Sequence, residues 1–579
     1  MEFAFIQTQI YTIEFEPAII EDIRVVVGID FGTTFSGFSY AYVKPEKAKI
    51  EIVVNDDWPG IKGSMKVNTV LQYDENHDSV IAWGAKALAG EPPRRNKNKK
   101  DMPKPVELFK LHLGKVPESK KPKLPNGVTP EKAISDYLRE MGNLLLTCFK
   151  DTIKQEIERR WPGVDFYRNV RLVVTVPAEF TEDTKTIMRK CLYNAGLIRS
   201  LGTLNLQFTT EPEAAAIHCM NVLSEHGLTT GATYMVVDCG GGTVDLTVRK
   251  LLSSDRIGET TERSGGFCGG TYVDDEFLKY LESKVGKSAM NMLKEKNYGQ
   301  INYMVQQFCS QVKIPFTGEK SDFETIEWDI DRKCPALKKY VTGSEKDQLS
   351  DDEWVIELDF KTVKSFFDPV VNKILELIEQ QLDSCSNCSV MFLVGGFSGS
   401  KYLQYRVKQK FGRQMTIAVP PHPLAAIVSG ACEYGLDMDT VTTRVLKWSY
   451  GVRISDEWSY GDPLHRKTSD DRICKFSLMA SKGTEVGANE EFSTRLYPVY
   501  PTQTSINFVF YYTSKYNAVY CDEPEMNLLG SFNVDLPDTY LGVNRPVLIT
   551  LCFGAMEIVA IAKNETNGKV YRTTFSNKE

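Results

Sequence analysis

Apolar residues along the first three quarters of this chain fall in two patterns that alternate. Short continuous runs, VVVGIDF, LVVTV, YMVVD and VMFLV, are bounded by glycine or proline and read as strands buried on both faces. Between them, Ile134, Tyr137, Leu138, Met141, Leu145, Phe149, Ile153 and Ile157 recur at spacings of three and four, which predicts a long amphipathic helix from Pro130 to the break at Trp161-Pro162-Gly163. A strand over Val170–Val176 follows. A second such stretch, Phe366–Leu382, leads into a strand at Val390–Val394. Strands alternate with helices to about Leu436, so an α/β unit is expected there. Beyond it, period-two alternation at Ser505–Tyr512 and Val547–Phe553, with proline and glycine punctuation, predicts a β domain. The polar stretch from about Gly318 to Asp352, broken by Pro335 and Gly343, reads as an outer insertion.

Three of the apolar runs end in glycine-rich turns: VVVGIDFGTTFSG (Val25–Gly37), YMVVDCGGGTVDLTV (Tyr234–Val248) and VMFLVGGFSGSKYLQ (Val390–Gln404). Glycine lets a backbone approach a ligand closely, so Gly32 and the run Gly240, Gly241, Gly242 can aim successive amides at one anion, with hydroxyls from Thr33, Thr34 and Thr243 beside them. Asp30 and Asp238 each end a strand, where ligands of α/β sheets collect, and such carboxylates organise a divalent cation. A single turn of this kind fits any buried strand of an α/β protein. Two with acids, and a third in order, point to a nucleotide phosphate clamp.

Composition narrows the partners. The 579 residues, 42% apolar and 25% charged, suffice for two to four packed units. A net charge of -7 argues against nucleic acid or an anionic membrane as the main partner. No stretch nears the roughly 18 apolar residues of a membrane span. The N-terminus, MEFAFIQTQIYTIEFEPAIIEDI, lacks the basic start and compact apolar stretch of a secretory signal. Thirteen cysteines without regular spacing fit reduced thiols in the cytosol. Cys385 and Cys388 form the one C-x-x-C and, without a second pair at zinc spacing, read as a thiol-bearing turn rather than a metal or redox site. The run PRRNKNKK (Pro93–Lys100) reads as a solvated loop, with a nuclear address as the alternative. The expected location is cytoplasmic, with nuclear access possible.

GIDFGTTFS (Gly28–Ser36), VDCGGGTVDL (Val237–Leu246) and LVGGFSGSKYLQ (Leu393–Gln404) resemble the two phosphate motifs and the adenosine motif of the actin, sugar-kinase and heat-shock 70 kDa chaperone superfamily. VVTVPAEFTEDTK (Val173–Lys185), TEPEAAAI (Thr210–Ile217) and SGGFCGGTYVDDEFL (Ser264–Leu278) are similar to segments of its chaperone branch. The phrase VGGFSGS and the later RVLKWSYGVRI look most like the divergent heat-shock 70 kDa protein 12 group. The resemblance implies a two-lobed actin-like ATPase domain with duplicated ribonuclease-H-like lobes over residues 23–435, after an extension at 1–22. It further implies a linker at 436–445 and a β-rich domain at 446–579 resembling a lidless peptide-binding β-sandwich. The apolar character usual for that linker is missing from DMDTVTT (Asp437–Thr443).

The resemblance also implies ATP or ADP with Mg2+ as ligands, and assigns roles. Asp30 and Asp238 hold the metal, and Asp30, Gly32, Thr33, Thr34 and Gly240, Gly241, Gly242, Thr243 contact phosphates. Lys313, Gly395, Gly396 and Ser398 contact the nucleoside side. Lys86, in IAWGAK, stands for the lysine beside the γ-phosphate, and Glu211, Asp238, Thr243 and Asp245 complete the catalytic set. Departures accompany these matches: Ser310 and Ile314 in the adenine-contacting helix, Gly399 for an arginine, HPLA (His422–Ala425) for Asn-Pro-Asp-Glu, and Lys185 for a relay arginine, which lacks the planar two-pronged donor. The implied function is a slowly hydrolysing, nucleotide-gated chaperone-like protein whose partner is an extended polypeptide or client. The alternatives are a non-hydrolysing nucleotide-gated adaptor or, for want of a sugar-site base less favoured, a small-molecule kinase.

Overall fold

In the computed structural model, the described residues run from 22 to 574, apart from 44–50, 89, 93–103, 115–117, 119–120, 159–160, 179, 181, 221–228, 254–255, 262, 386, 488–489 and 554–557. The N-terminal extension up to residue 21, the basic run Pro93–Lys100, and Glu179 of the Val173–Lys185 segment lie outside them.

The uninterrupted apolar runs form central strands because each is covered on both faces. In the first unit β1 (Val25–Phe31) turns back into β2 (Phe35–Tyr42), and helix α1 (Pro130–Cys148) packs over them. Then β3 (Val170–Val176), β4 (Leu206–Thr210) and helix α2 (Glu211–Met220) follow. The sheet order is β4-β3-β1-β2, parallel except for the β1–β2 hairpin, and the short strands Val53–Val54 and Val67–Asn68 add to β2. Thr129 caps α1 by accepting from the Lys132 amide, with Pro130 in its first turn. The helix runs on through Phe149–Ile153 to Ile157, which accounts for the whole apolar stripe read from the sequence.

The second unit opens with β5 (Thr233–Cys239), β6 (Val244–Ser253) and β7 (Arg256–Glu259). It continues through helix α3 (Phe360–Asp383) and β8 (Cys388–Val394) to helix α4 (Ala426–Leu436). The order is Thr416–Ala418, β8, β5, β6, β7, then β9 (Val441–Val445), with β8 parallel to β5 and the β5–β6 hairpin antiparallel. Helices α2 and α4 pack between the two sheets, where Ala214, Ala215 and Ala216 meet Ala426, Ala431 and Cys432. Small side chains let these elements approach closely, and the acids at the strand ends converge as a result.

The polar stretch Gly318–Asp352, expected as an outer insertion, packs onto the second unit's core: Trp328 is fully buried against Phe277 and Phe308, and Ile330, Cys334 and Leu337 join the same core. Its charged residues face outward while its few apolar ones carry the packing, a division that average composition hides. The segment expected as a linker, 436–445, contains β9, a strand of the second sheet parallel to β7.

The C-terminal unit contains β10 (Ser449–Glu457), β11 (Arg472–Ala480), β12 (Glu485–Gly487), β13 (Glu490–Leu496), β14 (Ser505–Thr513), β15 (Asn527–Asp535), β16 (Val547–Phe553), β17 (Val559–Asn564) and β18 (Val570–Thr574). Two antiparallel four-stranded sheets, β11-β10-β14-β15 and β13-β16-β17-β18, share an apolar core that includes Val452, Phe510, Val534, Ile549 and Ala560. Strand β12 leaves both sheets and pairs with β9, so the second α/β sheet extends into this unit.

Candidate functional site

Each α/β sheet carries one antiparallel hairpin with a glycine turn and an acid at the same place. On β1–β2, Asp30 lies opposite Gly37; on β5–β6, Asp238 lies opposite Asp245. Asp30, Asp238 and Asp245 are all buried, at 2%, 3% and 3% exposure. The two turns meet. A Cβ at Gly241 would stand 2.1 Å from Thr34 Oγ1, and one at Gly242 would stand 3.4 Å from Thr33 Cγ2. Only glycine fits at Gly241 with the turns so close.

The turn after β5 is braced from behind. The carbonyls of Gly240, Gly241 and Gly242 accept from the amides of Gly270 at 3.0 Å, Thr271 at 2.8 Å and Gly269 at 3.2 Å, and the Thr271 hydroxyl also reaches Gly241 O at 2.9 Å. With its carbonyls drawn back, the turn presents its amides forward: those of Gly241 and Gly242 donate to no protein acceptor among the described residues. This is the anion-binding concavity that consecutive amides make. In the first turn, Thr69 fixes the backbone by donating to Gly32 O at 2.9 Å and, through its amide, to Thr34 O at 2.8 Å.

Two lysines enter between the acids, and sequence reasoning assigned neither. Lys66 is ion-paired with Asp30 Oδ2, while Thr175 donates to Asp30 Oδ1 at 3.0 Å. Lys110 places Nζ 2.6 Å from Glu211 Oε1 and 2.6 Å from Phe31 O. It stands on the short turn Phe109–Leu113, entered through Leu108 at φ 58°. Glu211 is the first residue of α2, and burial, only partly offset by Lys110, raises its carboxyl above the ordinary range. Asp238 differs from its counterpart. Its Oδ1 is buried with no hydrogen-bond partner, and burial, followed by the charges of Glu211 and Asp30, pushes it up to about 8. The third turn closes on this atom: Gly395 has φ +85°, and a Cβ there would stand 2.2 Å from Asp238 Oδ1.

Other sequence assignments separate from this cluster. Lys86 is exposed on the turn Gly84–Ala87, its stem passing Gly60, and forms no ion pair with the acids among the described residues. The lysines beside the acids are Lys66 and Lys110. Lys313 is ion-paired with Asp274 at 2.8 Å, over the Phe397 ring. Ser398 is fully buried and its hydroxyl donates to Val394 O, so it braces the third turn. Gly396 lies against Leu424. Lys110 carried a weak sign in the sequence, a lysine within ELFKLHLG before a glycine; Lys66, in SMKVNTV, carried none.

A second charged cluster lies behind the first. Glu213, two residues after Glu211 on α2, is fully buried and paired with Arg444 of β9 at 2.8 Å and Arg263 at 3.1 Å. Glu259 pairs with Arg263 at 2.6 Å and Arg249 at 3.3 Å, and accepts from the Val445 amide at 2.9 Å. Burial alone would raise both acids, but Arg444 and Arg263 hold Glu213, and Arg263 and Arg249 hold Glu259, below their ordinary values. The first turn of α2 thus faces the acid cleft with one glutamate and strand β9 with the other.

Residues 229–418 match the family described as a domain of unknown function (DUF8340). Over 93% of its length, covering 89% of the relative, the chain is 25% identical to heat shock 70 kDa protein 12A of Homo sapiens. It is 23% identical over 95% of its length, covering 90% of the relative, to heat shock 70 kDa protein 12B of Homo sapiens. The chaperone protein DnaK of Thermosipho melanesiensis is 23% identical over 74% of the chain and 63% of that protein. No helix among the described residues is long and apolar enough to cross a membrane.

Proposed function

We propose that this chain, a divergent relative of the heat shock 70 kDa protein 12 group, binds ATP between its two glycine turns and couples that binding to the C-terminal sandwich. The observation that carries this reading is the convergence of both turns, amides forward, on a buried cluster of Asp30, Glu211, Asp238 and Asp245 with Lys66 and Lys110. Such a cluster suits the β- and γ-phosphates: amides and ammonium groups compensate phosphoryl charge, and fixed electrostatics carry most of phosphoryl transfer. Lys110 takes the role first given to Lys86. Thr33, Thr34 and Thr243 add hydroxyls.

A divalent cation fits at Asp238, whose Oδ1 is buried and unpartnered, and it would supply charge compensation on the phosphates. Glu211, oriented by Lys110 at 2.6 Å, is the carboxyl best held to position a water. Lys313, Gly395 and Gly396 would flank the nucleoside.

The same ion pairs favour a second reading, the non-hydrolysing adaptor, because Lys66 and Lys110 already engage Asp30 and Glu211. An extended polypeptide is the partner proposed for the sandwich, where Tyr460, Leu464 and Tyr540 are exposed on loops. Calorimetry of the purified chain with Mg·ATP tests binding, and single-turnover hydrolysis separates enzyme from adaptor. No heat of binding and no thermal shift at millimolar Mg·ATP would remove both readings.

A further inference from the structure

The two hairpin acids are built alike but compensated differently. Asp30 and Asp238 occupy equivalent places on β1 and β5, yet both oxygens of Asp30 are engaged, one by Thr175 Oγ1 at 3.0 Å and the other by Lys66, whereas Asp238 keeps an unpartnered buried oxygen. Lys66 and Asp30 are 6% and 2% exposed, so the ammonium is fixed inside the cleft. A buried pair of this kind is stable only when geometry is good and the remaining lone pairs are satisfied, which Thr175 supplies.

The path of the lysine is also prepared. Its stem crosses Gly37, the residue directly opposite Asp30. A Cβ at Gly37 would stand 3.1 Å from Lys66 Cγ and 2.9 Å from Met65 O, so a side chain there would obstruct the route. The segment that carries Lys66 is itself anchored, with Ser64 Oγ donating to Lys66 O at 2.7 Å and Val67 paired with Ser36 on β2. The lysine therefore reaches Asp30 from a fixed backbone through a cleared lane.

We infer that Lys66 is a tethered counter-cation of the phosphate cleft: it holds Asp30 in an internal ion pair, removes Asp30 from metal coordination, and leaves Asp238 as the carboxylate that a divalent cation meets. This rests on the nucleotide-binding reading above and changes what that reading predicts for metal. The Lys66–Asp30 pair is close to neutral, whereas Asp30 without Lys66 is an uncompensated anion open to a cation, so the contribution of Mg2+ to triphosphate affinity is smaller than it is once Lys66 is removed. Asp30 becomes a residue that positions Lys66.

The test is ATP affinity by calorimetry in excess Mg2+ and in EDTA, for wild type, Asp30→Asn, Asp238→Asn and Lys66→Met, the last keeping the length of the stem. The quantity read is the ratio of the two dissociation constants. Asp238→Asn should abolish the ratio, Asp30→Asn should leave it within about threefold of wild type, and Lys66→Met should enlarge it about tenfold or more, as Asp30 is released to the metal. If Lys66→Met does not fold, the two aspartate variants still decide. Asp30→Asn removing the ratio as fully as Asp238→Asn would overturn the inference and leave nucleotide binding standing. A wild-type chain that binds no ATP in either condition overturns both.

Discussion

Arg444 and Glu213, 231 residues apart in sequence, are joined by a 2.8 Å hydrogen-bonded ion pair inside the molecule. Arg444 lies on the strand that leads into the C-terminal sandwich, and Glu213 lies on the helix whose first residue is held by Lys110 in the acid cleft. One turn of helix therefore separates the candidate phosphate site from the connection between units.

Removing one partner of a buried pair leaves the other charge without compensation, a cost of about 3–5 kcal/mol. Arg444→Ala is expected to lower stability by that order and to free strand β9. Limited proteolysis should then cut near residues 436–447 in the variant and spare the wild type. Equal cutting of both would show that Arg444 does not hold the strand.

The same cluster sets an acid limit. Glu213 and Glu259 titrate below their ordinary value of 4.5 in the folded chain, so they bind protons more readily when unfolded. The stability they contribute is complete above the unfolded value and is lost as pH falls through it toward the lower folded values. Melting temperature should drop steeply below about pH 4.5. Glu259→Gln, with one titrating group fewer, should show a shallower acid limb.

The two lysine assignments can be separated directly. Lys110→Ala should lower the single-turnover rate, or ATP affinity if no turnover exists, by at least about tenfold, because the group sits between Glu211 and the Phe31 carbonyl. Lys86→Ala, at an exposed turn, should change stability by no more than about 0.5 kcal/mol and leave affinity unchanged. The reverse order of effects would return the role to Lys86.

Contact between the glycine turns yields a coupled pair of variants. A methyl at Gly241 would meet Thr34 Oγ1 at 2.1 Å, so Gly241→Ala should weaken ATP binding by forcing the turns apart. Thr34→Gly in the same chain removes the clash and should recover part of the loss, a non-additivity expected of residues in contact. Additive losses, measured by calorimetry, would place the turns apart in solution.

The sequence by itself determined the elements and the glycine turns. The runs at Val25–Phe31, Thr233–Cys239 and Cys388–Val394 are apolar on both faces because their strands are central, and period alone exposes that. The amphipathic stripe from Ile134 to Ile157 was legible for the same reason. Only the tertiary structure decided which charges meet. Lys66 and Arg444 carry no periodic or glycine signature and Lys110 only the glycine that follows it in ELFKLHLG, and each acts through an acid brought near by the fold: Asp30 across a hairpin, Glu211 at a helix start, Glu213 from another unit. Ion pairing depends on where the two side-chain ends arrive in space, and a lysine or arginine in the chain looks the same whether it faces water or a buried carboxylate.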